Sequence, residues 1–346
     1  MKKFFILVLI FTLAMSMALV GCGSSDEPAP EQPGTDEPGP TSDVKVGMVT
    51  DVGGVNDNSF NQSAWEGLEK LSADTGVEVD FLQSTGDADY NPNLNDFVKN
   101  GWDLTWGIGF MMADAVKDVA DLNPEAKLAI IDGVVDAPNA VSVLFKEHEG
   151  SYLVGVVAGL MTETNKIGFV GGMDIPVIVR FEEGFKAGVK AVNPEAEVLI
   201  NYTGAFDKSE LGKAAASTIY DEGADIIFHA AGSTGDGVFN EAKSRREAGN
   251  NVWVIGVDKD QSITFGNDVT LTSMMKRVDV AVYDVSKSLI DGSFQAGTIM
   301  ELGLAENGVG LPENNPNVPE DVLQTVNEYK QKIISGEIVV PSERAE

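Results

Sequence analysis

The chain has 346 residues, with 24 Lys and Arg against 54 Asp and Glu, a formal net charge of −30, one cysteine and two histidines. That length is enough for two core-bearing domains of ordinary size, and that charge repels phosphate backbones and anionic head groups, which argues against nucleic-acid binding and polybasic membrane docking. One cysteine permits neither an intrachain disulfide nor a thiolate zinc or iron–sulfur site, and two distant histidines, His148 and His229, offer little to a His-based catalytic or metal centre.

Lys2 and Lys3 precede an almost unbroken apolar run over 4–20, the pattern of a secretory signal. The run approaches the length of a membrane span. It ends, however, in Leu19-Val20-Gly21-Cys22, which resembles a bacterial lipobox, where the thiol is diacylated and becomes the first residue of the mature chain. Residues 1–21 are therefore expected to be removed as a lipoprotein signal peptide, with Cys22 the lipidation site. Residues 24–42 hold five prolines, two glycines and five acids with no aromatic. Such composition buries too little apolar area to offset its ordering entropy, so 22–43 is expected to be an extended, disordered tether.

From residue 44 onward, short β-branched or aliphatic runs alternate with helical stretches. Residues 44–49 read as a strand and 61–73 as an amphipathic helix with Ala64, Leu68 and Leu71 on one face. Further strands are expected at 77–82, 104–108 and 128–131, with helices at 91–100 and 113–122 between them. The series then repeats: helix 150–161, strand 167–170, helix 181–192, strand 198–202, helix 211–221, strand 226–229, helix 235–248 and strand 252–257. A strand at 271–275 and helices at 279–291 and 322–335 complete it. Strand–helix alternation with short links implies right-handed crossovers and an α/β fold of parallel sheets covered on both faces. Two doubly wound units are expected: a first lobe over 44–145 with part of 277–320, and a second over 146–276 with part of 321–346. Repeated passage between them makes a hinged cleft.

In open parallel sheets, ligands sit beyond the carboxyl ends of the strands. The loops there are polar or glycine-rich, but no nucleotide-phosphate fingerprint is complete: Gly107-Ile108-Gly109 lacks its third glycine, and Gly212-Lys213 is followed by alanine. There is no Gly-x-Ser-x-Gly elbow, and lipidation would consume the thiol. Asp258 and Asp260 lie at i and i+2 beyond a strand, and one is expected to face a ligand while the other enters a turn or solvent. The segment from Asp51 to Asn61 joins a strand end to a helix start. Asn58, Ser59 and Asn61 suit N-capping there, while amides and carboxylates flanking Phe60 suit a nucleoside, which needs a stacking face and bidentate hydrogen bonds.

Four separated motifs carry a more specific resemblance. They are Val49-Thr50-Asp51-Val52-Gly53-Gly54 through Ser59-Phe60-Asn61-Gln62, Glu149-Gly150-Ser151-Tyr152-Leu153-Val154-Gly155, Lys166-Ile167-Gly168-Phe169-Val170-Gly171-Gly172-Met173, and Val254-Ile255-Gly256-Val257-Asp258-Lys259-Asp260-Gln261. In this order they resemble the basic membrane protein family, the purine-nucleoside-binding lipoproteins of bacterial ABC importers. The resemblance implies a type I periplasmic-binding-protein fold: two doubly wound parallel-sheet lobes, three crossovers and a ligand buried by closure. It implies that Asp51, Asn58, Phe60 and Asn61 contribute from the first lobe, with Phe60 stacked on the base and Asp132 making a polar contact near it. From the second lobe, Gly204 and either Phe206 or Phe228 close the other face. Asp258, or alternatively Asp260, takes the ribose hydroxyls, and Lys276 reaches the ligand. Departures from the family pattern lie at His148, where an acid is expected, and in a short 262–269 loop. The implied ligands are inosine, guanosine or adenosine, the implied partners ABC permease and ATPase subunits, with the lipid anchor on the extracytoplasmic face and no cofactor, metal or turnover. Riboflavin or another flat heterocycle is the rival ligand, and a sensory or enzymatic use of the same cleft the rival function.

Overall fold

The computed structural model describes residues 43–345. The expected signal segment, Cys22 and the tether as far as residue 42 lie outside the described residues. The first sheet is built from β1 (Lys45–Thr50), β2 (Glu78–Gln83), β3 (Leu104–Ile108), β4 (Leu128–Ile131) and β5 (Ala140–Phe145), linked in part by α1 (Phe60–Thr75), α2 (Asp87–Lys99) and α3 (Ala113–Leu122). β1, β3 and β4 are buried along almost their whole length. Such near-continuous apolar runs are what a strand needs when helices cover both faces. Edge strand β2 is never fully buried, and its sequence mixes Glu, Asp and Gln with Val, Phe and Leu.

After β5 the chain enters α4 (Glu147–Met161) and a second sheet: β6 (Lys166–Gly171), β7 (Glu197–Tyr202), β8 (Ile226–Ala230), β9 (Trp253–Asp258) and β10 (Thr270–Lys276). α5 (Pro176–Val192), α6 (Ser209–Asp221), α7 (Gly235–Glu247) and the single turn α8 (Ser262–Phe265) connect these strands. α9 (Val278–Ile290) then returns to pack on α1, β11 (Ile299–Leu302) pairs in parallel with β5, and β12 (Val309–Gly310) pairs antiparallel with β10. α10 (Glu320–Ile334) packs on α4. The sheet orders are β2-β1-β3-β4-β5-β11 and β7-β6-β8-β9-β10-β12. The lobes therefore correspond strand for strand: β1 matches β6, β3 matches β8, and β4 matches β9.

The chain crosses between the sheets three times, and the crossing segments are tied to one another. Lys146 N–H donates to the Leu302 carbonyl at 3.0 Å, Arg277 N–H to that of Gly308 at 2.8 Å, and Leu304 N–H to the Glu149 carboxylate at 2.8 Å. Within the second lobe α4 and α5 touch backbone to backbone. A Cβ at Gly184 would overlap the His148 main chain, and one at Gly188 the Tyr152 carbonyl, so only glycine lets α5 lie this close. Among the described residues no helix is long and apolar enough to cross a membrane.

Most expected elements are present with ends moved by one to a few residues. α2 starts at Asp87 because Asp87 and Asp89 complement its N-terminus and Thr85 donates to Asp89 from both N–H and hydroxyl. α4 starts at Glu147, ahead of the apolar pattern, because the buried Glu147 and the half-buried His148 and Glu149 take the place of an apolar face there. Residues 140–145 form a strand that the pattern did not indicate, and so do β11 and β12. The short 262–269 loop contains α8.

Candidate ligand-binding site

Asp51 leaves the end of β1 and fixes the loop that follows: its Oδ1 accepts from Gly53 N–H at 2.9 Å and from the Asn61 side-chain amide at 2.8 Å. The start of α1 is held by a residue the sequence did not single out. Asp57 is buried and accepts from the N–H groups of Ser59, Asn61 and Gln62 at 2.9–3.0 Å, besides the Asn61 amide. Ser59 occupies the N-cap position but makes no side-chain cap bond, because its hydroxyl donates instead to Asp258 in the opposite lobe. Phe60, the first residue of α1, is thereby aimed into the cleft from a loop gripped at both ends.

Asp132 follows β4 and Asp258 ends β9, so the two occupy equivalent positions in the two lobes. Both adopt left-handed backbone conformations, φ 66° and 64°, as does Asn58 at 54°. Such backbone conformations in non-glycine residues persist where surrounding contacts over-determine them. Asn58 is over-determined from across the cleft: its side chain donates to Asp236 at 3.1 Å and its carbonyl accepts from the Gln261 amide at 3.0 Å. Gln261 is itself locked, its carbonyl oxygen accepting from Val257 N–H at 3.0 Å and lying 2.8 Å from His229 Nε2. Burial lowers His229 to about 4 against one stabilising hydrogen bond to Gln261 Oε1, so the ring is neutral and Nε2 is the donor.

A cavity of about 600 Å³ lies between the carboxyl ends of the two sheets. The first lobe lines it with Asp51, Asp57, Phe60, Asn61 and Asp132, and with Gly109, Phe110 and Met111 after β3. The second lobe contributes an apolar wall of Ile175, Val177, Ile178 and Phe181 from the start of α5, then Phe206, the 230–232 turn, Asp258 and Lys276. Phe206 reaches the wall because Gly204 turns the chain at φ 77° and because Gly172 has no side chain where the ring packs. Asn61 Oδ1 and Asp132 Oδ1 are buried acceptors without a hydrogen-bond partner. Lys276 Nζ donates to Asp132 Oδ2 at 2.6 Å. Burial pushes Asp51 up to about 6, against hydrogen bonds from Asn61 and Gly53. It pushes Asp258 up to about 7, with Lys276 and Ser59 pulling down and Asp57 and Asp132 adding to the rise. The site thus offers opposed aromatic and apolar surfaces, a buried cation and carboxyl groups that burial raises above the usual carboxylate range, which suits a small, mostly uncharged, hydrogen-bonding ring compound.

The family model for "Bmp: ABC transporter substrate-binding protein PnrA-like" matches residues 44–344. The chain belongs to the Bmp family. It is 48% identical to the CD4+ T-cell-stimulating antigen of Listeria innocua, over 98% of this chain and 99% of that protein. It is 40% identical to the ABC transporter nucleoside-binding protein BmpA of Lactococcus lactis, over 99% of this chain and all of that one. Among solved structures, an ABC transporter solute-binding protein from Aeropyrum pernix superposes with a TM-score of 0.79 at 33% identity, covering 87% of this chain and 94% of that one. The fold is accordingly the type I periplasmic-binding-protein fold, and this Bmp-family chain is an ABC transporter substrate-binding protein. Substrate-binding proteins of this kind act outside the cytoplasm.

In this Bmp-family chain the structure brings Asp51, Phe60, Asn61, Asp132, Phe206, Asp258 and Lys276 to one cavity. It does not bring Asn58, Gly204, Phe228 or Asp260 to the cavity wall. Asn58 faces the opposite lobe rather than the cavity, and Gly204 is a turn. Phe228 is fully buried inside the second lobe, its ring centroid 5.0 Å from Phe185 and 5.7 Å from Phe169. Asp260 accepts from the N–H and hydroxyl of Ser262 at the start of α8. Of the sequence alternatives, Phe206 and Asp258 therefore face the cavity. The sequence reading missed Asp57, whose capping role was legible only as one acid among many, and the α5 wall, whose residues look like ordinary core.

Proposed function

We propose that this protein is a membrane-anchored lipoprotein that binds a purine nucleoside, inosine, guanosine or adenosine, between its lobes and delivers it unchanged to ABC permease and ATPase subunits. The observation that carries the reading is the pair of aromatic rings from opposite lobes, Phe60 and Phe206, in one cavity with Asp258 and Asp132. The base stacks on the rings, Asp258 takes the ribose hydroxyls, and Asp51, Asn61, Asp132 and Lys276 hold the polar edge of the base. The name of the Lactococcus relative, a nucleoside-binding protein, supports the same ligand class. Attachment through Cys22 follows from Leu19-Val20-Gly21-Cys22 and the proline-rich segment behind it.

The test is native mass spectrometry of the small molecule that co-purifies, followed by calorimetry with nucleosides, free bases and riboflavin. Nucleosides should bind and be recovered intact. Equal affinity for base and nucleoside would remove the ribose role from Asp258, tight riboflavin binding would install the rival ligand, and release of free base would make the protein an enzyme.

A further inference from the structure

Two charged side chains behind the cavity wall take no part in the reading above. Glu147, the first residue of α4, is fully buried and does not line the cavity, and neither does Arg180 of α5. Arg180 Nε–H donates to Glu147 Oε2 at 2.6 Å, while Glu147 Oε1 lies 3.0 Å from Lys276 Nζ. The rings of Phe60, Phe145 and Phe181 surround that ammonium with centroids at 5.1, 5.1 and 5.6 Å. Glu147 stands two residues past β5 and Lys276 is the last residue of β10, so the pair joins the first and second crossings between the lobes. Asp132, the other anion on Lys276, belongs to the first lobe and has one oxygen unpartnered beside the cavity.

We propose that Glu147, clamped by Arg180, is a positioning residue for ligand recognition, holding the Lys276 ammonium in place at the cavity wall from the hinge. A lysine carries much rotamer entropy on a flexible stem, and a buried ammonium lacking counter-charges sheds its proton. Burial alone would lower Lys276, but Asp132, Glu147 and Asp258 outweigh it and hold it above the usual lysine range. Burial would likewise raise Glu147, and Lys276 and Arg180 more than offset this, so Glu147 stays ionised. The remaining charged neighbours do not replace it. Lys146 pairs with Glu149 at 3.7 Å, Glu301 faces Arg180, burial lowers His148 towards neutrality, and Asp57 acts on Asp258.

The affinity arm of the test rests on the nucleoside reading, and the second arm does not. In the mature full chain, Glu147→Gln, Lys276→Met and the double variant are titrated with the purine nucleoside that the parent binds tightest. The range runs from about pH 8 to about pH 10, above the midpoints of Asp51 and Asp258. Glu147→Gln should weaken binding about tenfold at the lower end, the typical effect of losing a charged partner. It should weaken further relative to the parent as pH rises, the parent's own curve carrying the ionisation of the nucleoside, and change affinity no more than about twofold in the Lys276→Met background. Glu147→Asp should restore part of the alkaline tolerance. Equal weakening in both backgrounds, independent of pH, would make Glu147 a merely structural residue and overturn the proposal. The second arm, side-chain NMR of isotopically labelled lysine without ligand, should show Lys276 losing its proton at lower pH in Glu147→Gln. If the parent binds no purine nucleoside, the functional reading fails and this titration alone decides: an unshifted Lys276 refutes the positioning role.

Discussion

Replacing Asp258 by asparagine should make the protein more stable and less able to bind. The carboxyl group is buried at the end of β9 and raised from 3.8 to about 7. Between those values the folded chain keeps a proton that the unfolded chain has released, so stability falls as pH rises through the window. The gap, at ~1.4 kcal/mol per pH unit, corresponds to about 4 kcal/mol in full, of which the part above about pH 5 is about 2–3 kcal/mol. Asparagine carries no such proton. The stability of Asp258→Asn relative to the parent should therefore increase by about 2–3 kcal/mol between about pH 5 and about pH 8, read by urea unfolding without ligand. If Asp258 takes the ribose hydroxyls as proposed, nucleoside affinity should meanwhile fall on the order of ten- to a hundredfold, the loss expected on removing a charged acceptor. A constant offset at both pH values, or a variant less stable than the parent at the higher one, would refute the account of Asp258 as a destabilising buried carboxyl group.

Phe60→Ala should weaken nucleoside binding by roughly 1–3 kcal/mol, as loss of a base-stacking ring does, and reduce the compaction seen by small-angle scattering on adding ligand. Phe228→Ala should do the reverse, lowering stability by about 3–5 kcal/mol through a core cavity while leaving affinity nearly unchanged. Cys22→Ser should release the protein from the membrane fraction, and a variant that stays membrane-bound with an uncleaved N-terminus would replace the lipid anchor with a spanning segment.

The alternation of buried strands and helices was legible because both faces of each sheet are covered, which leaves long apolar runs in β1, β4, β8 and β9. β11 and β12 were not, because one is largely exposed and the other has two residues, so neither carries a period. At the site, residues at or just past strand ends were legible from position alone, as with Asp51, Asp132 and Asp258. Phe206 and Phe228 were indistinguishable in sequence, both aromatic and near strand ends. What separates them is one glycine turn and the absence of a side chain at Gly172, a three-dimensional coincidence. Glu147 was hidden for a similar reason: the family pattern puts an acid at His148, and only the hinge geometry shows that the buried acid is its neighbour.

The grip on Asn58 and Ser59 is made by protein groups of the opposite lobe. Gln261, Asp236 and Asp258 hold that dipeptide from the far lobe, and Lys259 pairs with Glu66 nearby at 2.5 Å. Each hydrogen bond is worth roughly 0.5–1.5 kcal/mol net, so the three together add to the stabilisation that a bound substrate gives the shut form. Opening the lobes to release cargo must break these bonds as well as those to the cargo. Unloading then falls to the transporter, whose task is less to attract the cargo than to prise Asn58 and Ser59 out of the opposing lobe.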